Sequence, residues 1–262
     1  MRTDFSEFSF GYALTEEFMY ALRPTVRAAP VFPSLIEEGQ DDGGYDVAFD
    51  SPGLPVKIQF KRPDVMLTRR SKEIADHGIG LATPFYRMHI RSSAISKQHD
   101  LLLGHDNGSS EVYYASPCFH QTADFDRYYV TRTVIDNTLF IRPRDIGVLT
   151  AEPHHVAYDN TALGWRFSDE PVKIERIKKG RSVSDDFIKG LDKDNRPLGE
   201  GPLNEAVADL ENMLRKNGVN PQPLRPEAVA RLRGPRKELY RLAELTRIHL
   251  NAQLFIVQRD DL

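Results

Sequence analysis

The feature that most restricts what this chain can fold into is the stretch GGYDVAFDSPGLPVKIQFKRP, residues 43–63. Its two runs of polar and apolar alternation follow the period of a strand and not that of a helix. They predict a β-hairpin whose turn holds Ser51, Pro52 and Gly53. In the first strand Tyr45, Val47 and Phe49 share one face and Asp46 and Ala48 the other. In the second, Val56, Ile58 and Phe60 lie opposite Lys57, Gln59 and Lys61. One face is wholly apolar, while the other gathers a carboxylate, a side-chain amide and two ammonium groups. Pro63 stops the second strand because it has no N–H to give to a ladder.

Further strand-prone runs, Phe85 to Ile90, Glu111 to Phe119 and His155 to Tyr158, alternate with helical patterns and predict an α/β or α+β core, taken as α/β over residues 1–180. Strand signals fade after Ile177, and a Gly, Asp and Pro-rich stretch spans Gly190 to Pro202. Beyond it Leu203, Val207, Leu210 and Leu214 recur at helical spacing, as do Leu239, Leu242, Leu245 and Ile248 in a helix predicted to reach Phe255. Residues 181–262 are thus expected to be a linker and a helical C-terminal extension. No run approaches the roughly 20 apolar residues of a membrane span, and Met1 to Phe10 has no signal-peptide pattern, so a cytoplasmic chain with no membrane partner is expected. Cys118, the single cysteine, excludes a disulfide framework and any multi-thiolate zinc site, and is expected to be a buried packing residue.

Gly44-x-Asp46 followed 13 residues later by Gln59-x-Lys61 in an apolar strand resembles the core motif of the PD-(D/E)XK nuclease superfamily, in its Gln-x-Lys variant. That branch is restriction-endonuclease-like and Holliday-junction-resolvase-like, and the resemblance covers residues 10 to about 120. It implies a mixed sheet flanked by helices, and a metal-dependent DNA endonuclease of restriction or antiviral defence. Family members commonly carry a Glu on the helix before the first core strand. Here Leu14, Glu17, Phe18 and Ala21 share one helical face, which puts Glu17 inside an apolar stripe, whereas Glu16 points away behind Thr15, a candidate helix cap. Apart from the family, Glu17 is equally well read as one half of a core-edge ion pair.

Phosphodiester hydrolysis needs an activated water in line with the leaving oxygen and positive charge where the transition state gathers negative charge. A hard divalent cation, Mg²⁺ or Mn²⁺, takes oxygen ligands. Asp46, the Gln59 amide, the Phe60 main-chain carbonyl and Glu17 are the candidate ligands, and Lys61 is the candidate for holding the attacking water. Lys57 is expected to be solvated. The neutral Gln59 amide binds such an ion less strongly than the commoner acidic residue would, so a catalytically weak or inactive subunit that binds nucleic acid or protein is the alternative; a hairpin with no site is a third. DNA, together with a homodimer or a larger defence complex, is the expected partner.

Charge is segregated. Residues 171–262 hold 18 Lys and Arg against 14 Asp and Glu, whereas residues 1–170 hold 17 against 24. Two basic groups could meet phosphate: Arg62, Arg69, Arg70 and Lys72 after the second strand, and Arg225, Arg231, Arg233, Arg236, Lys237 and Arg241 near the C-terminus. His89 and His120 read as structural, and the adjacent His154 and His155 as surface residues.

Overall fold

The computed structural model describes residues 1–22, 54–106, 111–150, 152–168, 170–191, 200–221, 232, 235–250 and 253–257. The fold is α/β, with a mixed sheet of parallel and antiparallel strands, flanking helices and a C-terminal helical region. Asp46 and the first strand of the expected hairpin lie outside the described residues. The chain divides into two compact units: residues 1–21, 60–99 and 113–186, and residues 22–59, 100–112 and 187–262. Strand β1 (Leu54–Phe60) and strand β4 (Glu111–Pro117) each run through a boundary between them.

The first unit opens with α1 (Glu7–Leu22), where Ser6 Oγ accepts the N–H of Ser9 at the helix start. Thr15 therefore sits in mid-helix, buried, and is not a cap. This unit holds an antiparallel sheet, β2 (Asp64–Met66), β3 (Phe85–Ile90), β6 (His154–Asp159), β7 (Gly164–Phe167) and β8 (Val172–Lys173), in the order β2-β3-β6-β7-β8. In a second antiparallel set β4 pairs with β5 (Thr138–Ile141), and β5 with β9 (Ile177–Lys179). Two buried tyrosines tie β3 and β6 to the end of β4: Tyr86 Oη donates to Cys118 O at 2.6 Å, and Tyr158 Oη to Ser116 Oγ at 2.7 Å. Both phenols are thereby satisfied inside an apolar core. Cys118 is buried as expected, and burial pushes its thiol up to about 12, out of reach of thiolate chemistry at neutral pH.

The second unit pairs β1 antiparallel with β10 (Gln253–Val257), Val56 opposite Phe255. Here the sequence reading needs correction. The C-terminal helix, α8 (Pro235–Leu250), stops at Leu250, and residues 253–257 form a strand where helix was expected through Phe255. Gln-Leu-Phe-Ile-Val is a short apolar run whose type periodicity alone does not settle, and ladder pairing with β1 decides it. Helix α7 (Glu200–Lys216) buries Leu203, Val207, Leu210 and Leu214 and packs on α8, which buries Leu239, Leu242 and Leu245. Glu211 of α7 and Arg241 of α8 close that seam with an ion pair.

Candidate active site

Gln59 and Lys61 stand at the C-terminal end of β1, where the backbone is held in place. Lys61 N–H donates to Ala115 O at 2.9 Å, and Ser116 Oγ donates to Lys61 O at 2.9 Å. Phe60 meets the ring of Phe10 edge-on at 5.9 Å, and α1 comes so close that a Cβ on Gly11 would lie 2.7 Å from the Phe60 ring. Only glycine fits there. The Lys61 ammonium is half-buried and donates to Gln98 Oε1 at 3.4 Å, a long contact, and it forms no ion pair among the described residues. Burial lowers its proton affinity, Glu7 partly restores it and Arg91 lowers it again. Gln59 is 4% exposed.

Glu17 is buried on α1, as its apolar stripe implies. Its Oε2 accepts the N–H of Ile135 at 3.0 Å, at the start of the short 3₁₀ turn Ile135–Asn137. Its Oε1 is buried without a hydrogen-bond partner among the described residues. Burial raises the Glu17 pKa, the N–H groups of Ile135 and Val134 pull it back, and Asp136 adds to the rise.

Lys57 departs most from expectation. Val56, Lys57, Ile58, Gln59 and Phe60 are all buried, so the polar face of β1 is as enclosed as the apolar one. Lys57 is 1% exposed, with Nζ 2.8 Å from Nδ1 of His105 at the end of α3 (Gln98–His105). Burial lowers the Lys57 pKa to about 7 against a weak upward pull from Asp209. The imidazole falls to about 2, through burial and then through Lys57 beside it. Lys57 Nζ and His105 Nδ1 share one hydrogen bond whose donor follows from the imidazole tautomer, and His105 Nε2 is buried without a hydrogen-bond partner among the described residues.

A third polar cluster lies on the antiparallel sheet of the first unit. Glu73, buried in the short helix α2 (Lys72–Ala75), takes both the Nε and Nη2 donors of Arg87, and its Oε1 lies 3.0 Å from His155 Nε2. His155 stacks on Phe167 at 4.9 Å with the rings parallel, and His89 lies 3.1 Å from Asp64. The hydrogen bonds from His155 and Arg87 hold the Glu73 carboxyl far below the usual carboxylate range, against burial, which raises it. His154 is buried against Thr150 O, so neither member of the 154–155 pair is the plain surface residue expected. Sequence reading missed Glu73 because its four-residue helix has no periodicity to reveal a buried face.

The basic candidates separate as well. Arg62 is exposed; its backbone N–H donates to Glu7 and its guanidinium to Phe5 O. Arg69 and Arg70 are exposed in the turn before α2. Lys237 is exposed on α8, Arg236 is the second residue of that helix, and Arg231 and Arg233 lie outside the described residues. Arg241 is committed to Glu211 and leaves the free basic set.

No group of three or more His, Cys, Asp or Glu among the described residues is placed to hold a metal ion, and no helix among them is long and apolar enough to cross a membrane. No family model, curated protein or solved structure matches the chain.

Proposed function

We propose that this protein is a metal-dependent DNA nuclease that hydrolyses phosphodiester bonds in the cytoplasm, in restriction or antiviral defence. The observation that carries the reading is Lys61, a desolvated ammonium on a pinned backbone whose side-chain partner among the described residues is an amide oxygen. Structural lysines in such surroundings are ordinarily paired with a carboxylate, whereas one that is to meet a phosphate or hydroxide must stay uncommitted. In this reading Lys61 holds the attacking water and stabilises charge on the phosphate. The water oxygen forms the new bond to phosphorus, the bond to the leaving sugar oxygen breaks, and that oxygen takes up a proton.

Asp46, the Gln59 amide, the Phe60 carbonyl and Glu17 would hold Mg²⁺ or Mn²⁺. These donors are all oxygen, as a hard cation requires, and the unpartnered Glu17 Oε1 is the kind of buried atom a cation satisfies. Bound there, the ion would supply positive charge for the transition state.

The test is cleavage of single-stranded, duplex and branched DNA with Mg²⁺ or Mn²⁺. Lys61→Ala should lose roughly 10²-fold or more in rate while keeping metal and DNA binding, and Asp46→Ala should lose metal as well. Full activity in purified Lys61→Ala, with contaminating nuclease excluded, would refute the assignment. One observation favours the second reading, a nuclease-fold subunit that binds without cutting: the Glu17 carboxylate is already engaged by Ile135. Wild-type protein that binds DNA and never cuts it is the result that reading expects.

A further inference from the structure

The turn between β2 and α2 borders a groove of about 500 Å³ in the first unit. Arg70, Lys72 and Arg87 line it, and among the described residues no carboxylate does. Elsewhere Arg127, Arg181, Arg215, Arg241 and Arg247 each hold an Asp or Glu, as Arg87 holds Glu73. Arg70 and Lys72, by contrast, form no ion pair among the described residues. Arg87 gives Nε and Nη2 to Glu73, which fixes the plane of the guanidinium and leaves Nη1 without a partner among the described residues. The Ser71 hydroxyl in the same wall is likewise unpartnered among them. Two apolar side chains on the groove are well exposed, Leu67 at 53% and Met1 at 61%. Two cations without a counter-charge among the described residues, Arg70 and Lys72, together with the unpartnered Nη1 of a guanidinium that Glu73 holds in one plane, select an anion, and phosphate suits that arrangement. Exposed apolar atoms beside them offer van der Waals contact to the face of an unstacked base, with the Met1 thioether a polarizable partner for its ring.

We propose that this groove binds a single-stranded nucleic acid, with Arg70, Lys72 and Arg87 on a backbone phosphate and Leu67 and Met1 against the neighbouring base. The choice of nucleic acid over other phosphates rests on the nuclease reading. An anionic lipid surface is the poorer fit, because it calls for about four to eight clustered cations on a presented face, and three in a concavity do not supply that.

The experiment measures binding of a fluorescein-labelled single-stranded oligonucleotide to the full chain in EDTA, across a salt series, with the same sequence as duplex and phosphatidylserine vesicles as parallel arms. Wild type should bind the single strand at least about tenfold more tightly than the duplex. The double variant Arg70→Glu/Lys72→Glu should weaken binding by at least about tenfold and reduce the salt slope by about two. A control with the same charge change at exposed positions, Arg176→Glu/Lys189→Glu, should bind as wild type. Unchanged affinity in the groove variant, equal loss in the control, equal binding of duplex, binding of vesicles alone, or no binding by wild type would each overturn the proposal. The nuclease reading fails separately. If Lys61→Ala cuts DNA while the groove variant loses single-strand binding, the groove stands and the catalytic assignment falls.

Discussion

Lys57 and Lys61 lie four residues apart on the same side of one strand, and the structure treats them in opposite ways. Lys57 is sealed against His105, a neutral base that can accept its proton but cannot balance its charge. Lys61, half-buried, has an amide oxygen as its side-chain partner among the described residues. The first arrangement suits an amine that gives up its charge on folding, and the second suits a cation that keeps its charge for a partner. Strand alternation puts two lysines on one face; their neighbours set what each can do.

The sharpest way to break this comparison is a charge that cannot be given up. Arginine stays protonated at any accessible pH, so Lys57→Arg should cost about 3–5 kcal/mol in urea unfolding, the scale of a buried charge left uncompensated. Lys61→Arg should cost less, about 1 kcal/mol, because the residue is only partly buried and its head already meets a polar acceptor, Gln98 Oε1. Equal losses at the two positions would show that burial does not separate them.

A smaller effect is expected from Glu73→Gln, where the partners do balance the charge. It should cost about 1–3 kcal/mol at neutral pH, from weakened bonds to Arg87 and His155. The Glu73 pKa is lowered in the folded state, so its contribution is complete above the unfolded carboxyl pKa and is lost as pH falls through the depressed folded value. The gap between wild type and Glu73→Gln should therefore narrow as the solution is acidified in guanidinium melts; a constant gap would mean that the carboxylate charge is not what His155 and Arg87 stabilise.

The mildest test sharpens the Lys57 side. Its folded pKa of about 7 lies below that of an unfolded lysine, about 10.4, so between these values the unfolded chain binds the extra proton and stability rises with pH. The slope should be at most about 1.4 kcal/mol per pH unit. Lys57→Met keeps the length and removes the proton, and should flatten the profile in this window. A wild-type profile already flat from pH 7 to 10 would place the charge on Lys57 in the folded protein.

Several elements were legible in the chain itself. The strand at Val56–Phe60, the amphipathic spacing of Leu203 to Leu214 and the burial of Glu17 follow from periods of 2 and 3.6 residues. Other features were not. The Lys57–His105 contact spans 48 residues, Glu73–His155 spans 82 and Glu17–Ile135 spans 118, and no local pattern encodes a partner at that distance.

By itself, then, the sequence determined which residues alternate, which helical faces are apolar and which polar types share a strand face, because backbone periodicity and side-chain chemistry are local. Tertiary structure decided that β1 is enclosed on both faces, that residues 253–257 pair as a strand, and which of two lysines on one face is sealed. Enclosure depends on what the rest of the chain lays over a strand, and both hydrogen-bond satisfaction and the cost of charge follow from that covering.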